Sequence, residues 1–161
     1  MNYLFDACAL LNLANGGILK ITLSLPGNGF FLCSVARREA RSISTFLNTL
    51  IASGALRLIE DDEIPAATFL DLKERYGLGD GETECIVASM ARDCALVFDD
   101  QKARRVAQEL LGPARVTGSI GILRVCVTQG LLSKAEAFGA YKIMKAVGGY
   151  LPEMQLEQMF P

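Results

Sequence analysis

Acidic residues follow two predicted strands at the points where those strands end. Asp6 comes directly after the apolar segment 2–5, and Asp99 and Asp100 come directly after the apolar segment 95–98. The carboxyl ends of parallel strands share one edge of a sheet, and ligands of parallel α/β folds bind outside that edge. The spacing therefore predicts that these carboxylates converge.

Two predicted helices carry further acids toward the same edge. Glu84 lies near the beginning of a helix over 81–93, at the margin of its buried face, whereas Glu82 is expected to face solvent. Glu39 lies about one turn into a helix over 35–52 that follows a short buried strand. Along the chain, an Asp after a strand, a Glu on each of two helices and an Asp after another strand follow in this order. This order is a more specific indication of a shared site than any one of the acids.

The chemistry open to such a cluster is that of a divalent cation. Carboxylates held close together repel one another strongly unless a cation lies among them. Mg²⁺ and Mn²⁺ prefer oxygen ligands, and such ions activate water and stabilise the leaving oxygen of a phosphodiester. The sequence contains no His, which excludes a Ser-His-Asp triad, a Cys-His pair, His-ligated zinc and a His general base.

Each acid also has an ordinary structural interpretation. Asp6 is equally compatible with a helix N-cap, and Asp99 and Asp100 with a turn that caps the following helix. Glu39 and Glu84 could pair with nearby Arg residues on solvated helix faces. The combination of these residues, rather than any single one, favours a shared site.

Short apolar segments alternate with helical patterns along the chain, which predicts an α/β fold with a parallel sheet. The predicted strands are 2–5, 30–33, 55–60, 95–98 and 114–117. The main predicted helices are 35–52, 65–76, 81–93, 101–111, 119–130 and 134–147. Ser34 is expected to cap the first of these helices. We expect one domain over 1–150 and a tail over 151–161 that packs loosely or docks on a partner.

Composition and cysteine usage indicate the environment of the protein. At 51% hydrophobic residues, the chain can build a sizeable core. No apolar run reaches the roughly 18 residues that span a bilayer, and the N-terminal segment lacks the basic start of a signal peptide. The five Cys are widely spaced among apolar residues, which is typical of a reducing compartment. We therefore expect a cytoplasmic protein that does not associate with membranes.

Basic residues form two local clusters, although the net charge of −2 does not by itself indicate a nucleic-acid partner. The residues that could contact phosphates are Arg37, Arg38, Arg41, Lys102, Arg104 and Arg105. Ordinary solvated helix faces explain both clusters equally well. Trp is absent and most Phe lie in apolar runs, so no aromatic platform for nucleobases is evident.

From Asp6 to about Gly130, the chain resembles the PIN-domain ribonuclease family, and within it a subgroup of uncharacterised prokaryotic and toxin-like members. The resemblance is carried first by YLFDACALLNLA and FLCSVARREA, which are similar to the family's strand–Asp–helix start and to its Glu-bearing helix. It is carried further by GETECIVASMA, with Glu84 at the position of the family's helical Asp. It ends with LVFDDQKAR, in which Phe98 stands at the position of a Thr and Asp100 matches the family's Asp.

This resemblance implies a PIN-like three-layer sandwich, with a central parallel sheet flanked by helices, and a Mg²⁺- or Mn²⁺-dependent endoribonuclease activity. It implies Asp6, Glu39, Glu84 and Asp100 as catalytic residues. The implied metal ligands are Asp6, Glu84, Asp99 and Asp100. Of these, Asp6 and Asp100 are expected to be the main anchors.

The resemblance also implies partners: an RNA substrate, an antitoxin protein for a toxin of this type, and a second copy in a homodimer. The alternative is a degenerate PIN-fold protein that acts as a protein- or RNA-binding subunit. An aspartyl phosphatase is disfavoured because Cys8 stands where a second Asp would be needed, two positions after Asp6.

Overall fold

Five short strands form one parallel sheet at the centre of the molecule. The computed structural model describes residues 1–161. In chain order the strands are β1 (Asn2–Phe5), β2 (Gly29–Cys33), β3 (Arg57–Ile59), β4 (Cys94–Val97) and β5 (Val116–Thr117). Their order across the sheet is β3-β2-β1-β4-β5, and every neighbouring pair is parallel, as predicted. The strand order reverses at β1, so the carboxyl end of this central strand is the expected place for a ligand.

Helices cover both faces of the sheet. They are α1 (Ala7–Asn15), α2 (Leu19–Leu23), α3 (Ser34–Glu39), α4 (Ser44–Ala52), α5 (Ala66–Tyr76), α6 (Asp80–Ala91), α7 (Gln101–Leu111), α8 (Ser119–Thr128), α9 (Lys134–Ala146) and α10 (Leu156–Met159). Three 3₁₀ turns lie at Arg41–Ile43, Asp61–Glu63 and Pro113–Arg115. None of the helices combines the length and the apolar character that crossing a bilayer requires.

The side chains of β1 alternate between two apolar layers. Tyr3 and Phe5 lie in a cluster of 28 buried residues, to which α1, α2, α4, α8, α9 and α10 contribute. Leu4 points to the opposite face, into a cluster of 16 buried residues formed with α5, α6 and α7. Because parallel sheets are stable only when both faces are covered, this arrangement confirms the predicted α/β three-layer sandwich.

The helix predicted over 35–52 is divided in two. It breaks at Ala40, where ψ is 46°, and resumes at Ser44 after a single 3₁₀ turn. Ser42 and Ser44 are poor residues for a helix interior because their hydroxyls compete for backbone hydrogen bonds. The bend lets Ala36 and Leu47 both remain buried in the same apolar layer.

The C-terminal segment packs against the body of the molecule. Met159 is fully buried among residues of the larger apolar cluster. The Arg124 Nε donates a hydrogen bond to the carbonyl of Met159 at 2.7 Å, and the Tyr141 hydroxyl donates one to the carbonyl of Pro152 at 2.6 Å. These contacts hold residues 151–161 along α8 and α9.

Candidate active site

Asp6 ends the central strand and begins the first helix. Its backbone N–H donates to the carbonyl of Val97 on β4 at 3.2 Å, which keeps the two strand ends together. Its carboxylate caps α1 by accepting a hydrogen bond from the N–H of Cys8 at 3.3 Å. The residue is only 4% exposed. Asp6 is thus both a helix cap and a buried acid at the sheet edge.

The surroundings of the Asp6 carboxylate are acidic. Its pKa is raised to about 7, chiefly by burial and in smaller part by the charges of Glu82 and Glu39, while backbone hydrogen bonds from Cys8 and Ala7 act to lower it. No basic side chain forms an ion pair with Asp6. The protein itself supplies no cation to offset the charge of this carboxylate, which is neutralised by a proton as the pH falls below about 7.

Glu39, the last residue of α3, faces the first turn of α6. A methyl group at Gly81 would lie 2.9 Å from Oε2 of Glu39, so the glycine allows the carboxylate to approach the helix closely. Burial and the charges of Glu82 and Asp80 raise the pKa of Glu39, and the charge of Arg38 lowers it. Glu39 is therefore also held among acids.

The charge of Glu82 acts on both of these acids, and we call Asp6, Glu39 and Glu82 the Asp6 cluster. The Glu82 carboxylate accepts a hydrogen bond from the N–H of Gly79 at 2.8 Å, which closes the first turn of α6. The residue is half-buried, and its charge contributes to the raised pKa of both other members. Glu82 was expected to face solvent; it remains partly exposed, and its charge nevertheless acts on both acids.

Glu84 caps a different helix. Its carboxylate accepts a hydrogen bond from the N–H of Val35 at 2.8 Å, at the beginning of α3. The sequence assigned this capping to Ser34, but the Ser34 hydroxyl donates instead to the carbonyl of Ile59 at 3.3 Å. A residue distant in sequence thus satisfies a backbone donor that a local cap was predicted to satisfy.

The electrostatic neighbour of Glu84 is Asp61 rather than Asp6. Burial raises the pKa of Glu84, the Val35 hydrogen bond lowers it, and the charge of Asp61 raises it further. Glu84 is 3% exposed and borders a cavity of about 460 Å³ that Asp61 and Lys73 also line. The structure therefore associates Glu84 with a neighbouring hollow, on the β3 side of the Asp6 cluster.

Asp99 uses both carboxylate oxygens in hydrogen bonds to protein donors. Oδ2 accepts from the Asn12 amide at 2.7 Å and from the Ser119 hydroxyl at 2.5 Å. Oδ1 accepts from the backbone N–H of Ser119 at 2.8 Å, at the beginning of α8. Asp99 therefore ties the end of β4 to α1 and α8, which is a positioning role.

Asp100 is exposed and caps α7. Its Oδ1 accepts a hydrogen bond from the N–H of Ala103 at 2.8 Å. The turn-and-cap interpretation of Asp99 and Asp100 is thus confirmed for Asp100. Asp6, Asp99 and Asp100 each lie at a helix N-terminus, whose partial positive charge favours carboxylates.

The predicted ligands do not form a preassembled metal shell. No group of three or more Cys, Asp or Glu side chains is arranged to hold an ion. The donors of the Asp6 cluster are nevertheless all carboxylate oxygens, the type that Mg²⁺ and Mn²⁺ prefer. Beside these acids, partial burial raises the pKa of the Cys8 thiol to about 11, and the charges of Asp6 and Asp99 raise it further. The type of donor thus fits a hard divalent ion, although the ligand set is not assembled.

One predicted basic cluster lies at the carboxyl ends of β2 and β3. Arg37, Arg38 and Arg41 line a polar cavity of about 440 Å³. Arg37 donates to the side chain of Asn48 at 2.7 Å, and Arg38 lies 3.7 Å from the carboxylate of Asp61. These guanidinium groups border the edge of the sheet that also carries the acids.

The other predicted basic cluster lies on α7, beyond β4. Arg104 and Arg105 border a small cavity of about 290 Å³. Lys102 donates a hydrogen bond to the carbonyl of Gly77 at 2.6 Å, so it joins α7 to the loop before α6. The two clusters therefore flank the central strand on opposite sides.

Sequence reasoning missed several polar residues beside the acids. Asn12 is the one polar residue in the apolar stretch ALLNLA, and that interruption is the signal that could have identified it. Ser119 follows Gly118 directly after a strand, which is a pattern typical of a helix beginning. Tyr150 follows a Gly-Gly pair at the very end of the predicted domain over 1–150, and no local pattern places it near the acids.

Comparison with known proteins gives one match. A family model described as a PIN domain matches residues 2–160. No curated protein and no solved structure gives a significant match to the chain. The matched range includes the parallel sheet, the Asp6 cluster and the C-terminal segment that packs on α8 and α9. The chain therefore belongs to the PIN-domain family.

Proposed function

We propose that the protein is a divalent-metal-dependent ribonuclease that hydrolyses RNA phosphodiester bonds at the Asp6 cluster. Membership of the PIN-domain family supports a hydrolytic nuclease fold. The observation that carries the proposal is the state of Asp6, a buried acid with two acidic neighbours and no ion pair. This arrangement costs stability without a cation, which a purely structural role does not require.

The residues proposed to hold the ion are Asp6, Glu39, Glu82 and Asp100. When bound, Mg²⁺ or Mn²⁺ supplies the positive charge that offsets these acids, and it supplies the polarisation that hydrolysis of a phosphodiester requires. Asp99 positions the end of β4 through its bonds to α1 and α8.

RNA is proposed to cross the sheet edge between the two basic clusters. The residues proposed to contact its phosphates are Arg37, Arg38, Arg41, Lys102, Arg104 and Arg105. Because these basic residues flank the acids on both sides, they would attract a phosphate to the cluster. Their charge would offset the repulsion between the phosphate and the acids.

The test is cleavage of short single-stranded RNA, tRNA and rRNA with Mg²⁺ or Mn²⁺, with and without a chelator. Wild-type protein should cleave only with the ion, and Asp6→Asn should lower the rate by about 100-fold or more. Asp62→Asn is the matched control, because Asp62 is exposed and forms no ion pair. Full cleavage by Asp6→Asn, or in excess chelator, would refute the assignment.

Glu82 and Glu84 provide an internal comparison, since the sequence favours Glu84 and the electrostatics favour Glu82. Glu82→Gln removes a charge that acts on Asp6. Glu84→Gln keeps an oxygen that can accept the hydrogen bond from Val35. We expect the first substitution to lower the cleavage rate more than the second. If Glu84→Gln lowers the cleavage rate more than Glu82→Gln does, Glu84 rather than Glu82 belongs to the site.

A binding protein with a degenerate site is the second candidate. It is favoured by the absence of a preassembled group of metal ligands and by the fully buried Phe98 at the strand end, where the resembled family has a hydroxyl residue. Retained RNA binding without cleavage under any of the ion conditions would select this candidate.

We further propose a cytoplasmic toxin role, with an antitoxin partner and a homodimer, on the basis of the family resemblance. Induced expression of the wild-type chain should arrest bacterial growth, and Asp6→Asn should not. Co-expression of the neighbouring reading frame should restore growth. If cells that express wild type and cells that express Asp6→Asn grow equally well, the toxin role is contradicted. The ribonuclease proposal would then depend on the cleavage assay alone.

A further inference from the structure

A cavity of about 320 Å³ lies beside the acidic residues, between α1 and the turn that follows α9. One wall comes from α1, and Asp99 and Asp100 close the end nearest β4. The opposite wall is formed by Val147 and Tyr150. Unlike the cavity lined by arginines, it exposes more apolar than polar surface. Its volume and mixed lining are those of a small-molecule site.

Hydrogen bonds hold the backbone on both sides of Tyr150, whereas its ring is exposed. Its side chain is 94% exposed. The turn that carries it is closed by the Leu151 N–H, which donates to the Gly149 carbonyl at 2.9 Å, and by the Gly149 N–H, which donates to the Met144 carbonyl at 2.9 Å. Leu151 is buried, so the chain is anchored directly after the exposed ring.

Glycine at position 149 is required for this turn to approach α1. A methyl group there would lie 2.7 Å from Oδ1 of Asn12 and 2.7 Å from the carbonyl oxygen of Met144. The Asn12 amide is already committed to Asp99, whereas Asn15, one turn further along α1, is exposed and forms no hydrogen bond through its side chain. The cavity thus combines an unpacked aromatic ring with a free amide.

We infer that this cavity binds one unpaired nucleobase of the RNA, with Tyr150 as the stacking surface and Asn15 as a hydrogen-bonding group for the base edge. The inference rests on the proposed ribonuclease function and adds to it a binding site for one base. A base can stack on a side chain in this way only when it is splayed out of a duplex. Asp100 lines the cavity and caps α7, so a base bound here places its phosphate near the acids.

The test is the affinity of a fluorescein-labelled eight-nucleotide single-stranded RNA, measured in chelator so that no cleavage occurs. Tyr150→Ala should weaken binding by about 5-fold to 150-fold, the range for loss of one base–aromatic stack. Tyr150→Phe keeps the ring and should bind like wild type. Ile143→Ala is the matched control, because Ile143 is an exposed apolar residue of α9 that does not line the cavity.

A second readout reports the stack itself. An oligonucleotide containing 2-aminopurine should lose fluorescence on binding to wild type and Tyr150→Phe, and should keep it with Tyr150→Ala. Unchanged affinity and quenching in Tyr150→Ala would overturn the base site, while cation-dependent cleavage by wild type would still uphold the ribonuclease. If Tyr150→Ala instead changes only the oligomeric state in sedimentation, the surface belongs to a second copy, and the base site is also overturned. Failure of wild type both to bind and to cleave RNA would remove the two proposals together.

Discussion

Replacing Asp6 with Asn should stabilise the metal-free protein at neutral pH and leave its stability almost unchanged in acid. The carboxyl has a pKa of about 7 in the folded protein, against its ordinary value of 3.8. Because the folded state binds this proton more tightly, wild-type stability is highest below about pH 4, falls between about pH 4 and pH 7, and is level above that range. Each tenfold change in proton affinity corresponds to about 1.4 kcal/mol. The free energy of unfolding of wild type therefore falls by about 4 kcal/mol between about pH 4 and pH 7.

Urea unfolding followed by circular dichroism measures this difference in excess chelator. The free energy of unfolding of Asp6→Asn should exceed that of wild type by up to about 4 kcal/mol at pH 8 and by almost nothing at pH 3.5. Asp62→Asn, at an exposed and unpaired position, should change it by less than about 0.5 kcal/mol at either pH. A gain in Asp6→Asn that is absent at pH 8, or equal at both pH values, would refute the argument that Asp6 is buried and uncompensated.

Three further predictions concern the surrounding contacts. Asp99→Asn should lower the free energy of unfolding by about 1–3 kcal/mol in urea titrations, because it weakens hydrogen bonds that join β4 to α1 and α8. Arg38→Ala should weaken RNA binding and reduce the slope of log affinity against log salt concentration by about 0.7. A slope equal to that of wild type would show that Arg38 contacts no phosphate. Ser133→Ala should cost about 1 kcal/mol, measured by thermal unfolding, because the Ser133 hydroxyl accepts a hydrogen bond from the Glu136 N–H at the beginning of α9.

The sheet and its acidic edge could be predicted from sequence because both depend on local patterns. The central strands β1, β2 and β4 are short apolar runs, and Asp6 and Asp99 directly follow two of these runs. Helix α7 coincides with the predicted range 101–111, since Asp100 marks its start and Gly112 its end. The cap of α9 has an equally local signal, because Ser133 and Glu136 stand at the spacing of a capping box.

The features that could not be predicted from the sequence depend on contacts between distant segments. Glu84 caps α3 across the fold, which no periodicity reveals, and the charge of Glu82 acts on Asp6 from the first turn of α6. The break at Ala40 follows from packing against the larger apolar layer. Tyr150 lines a cavity with Asp99 and Asp100, which no local pattern predicts, because the turn before it closes back on the end of α9.

Direct measurement of Mn²⁺ binding, by electron paramagnetic resonance at neutral pH, tests most directly whether the Asp6 cluster holds a divalent ion. Wild type and Asp62→Asn should bind Mn²⁺ with equal affinity. Asp6→Asn should lose this binding, and Glu82→Gln should weaken it by about 10-fold or more. Equal Mn²⁺ affinity in wild type and Asp6→Asn would contradict the account.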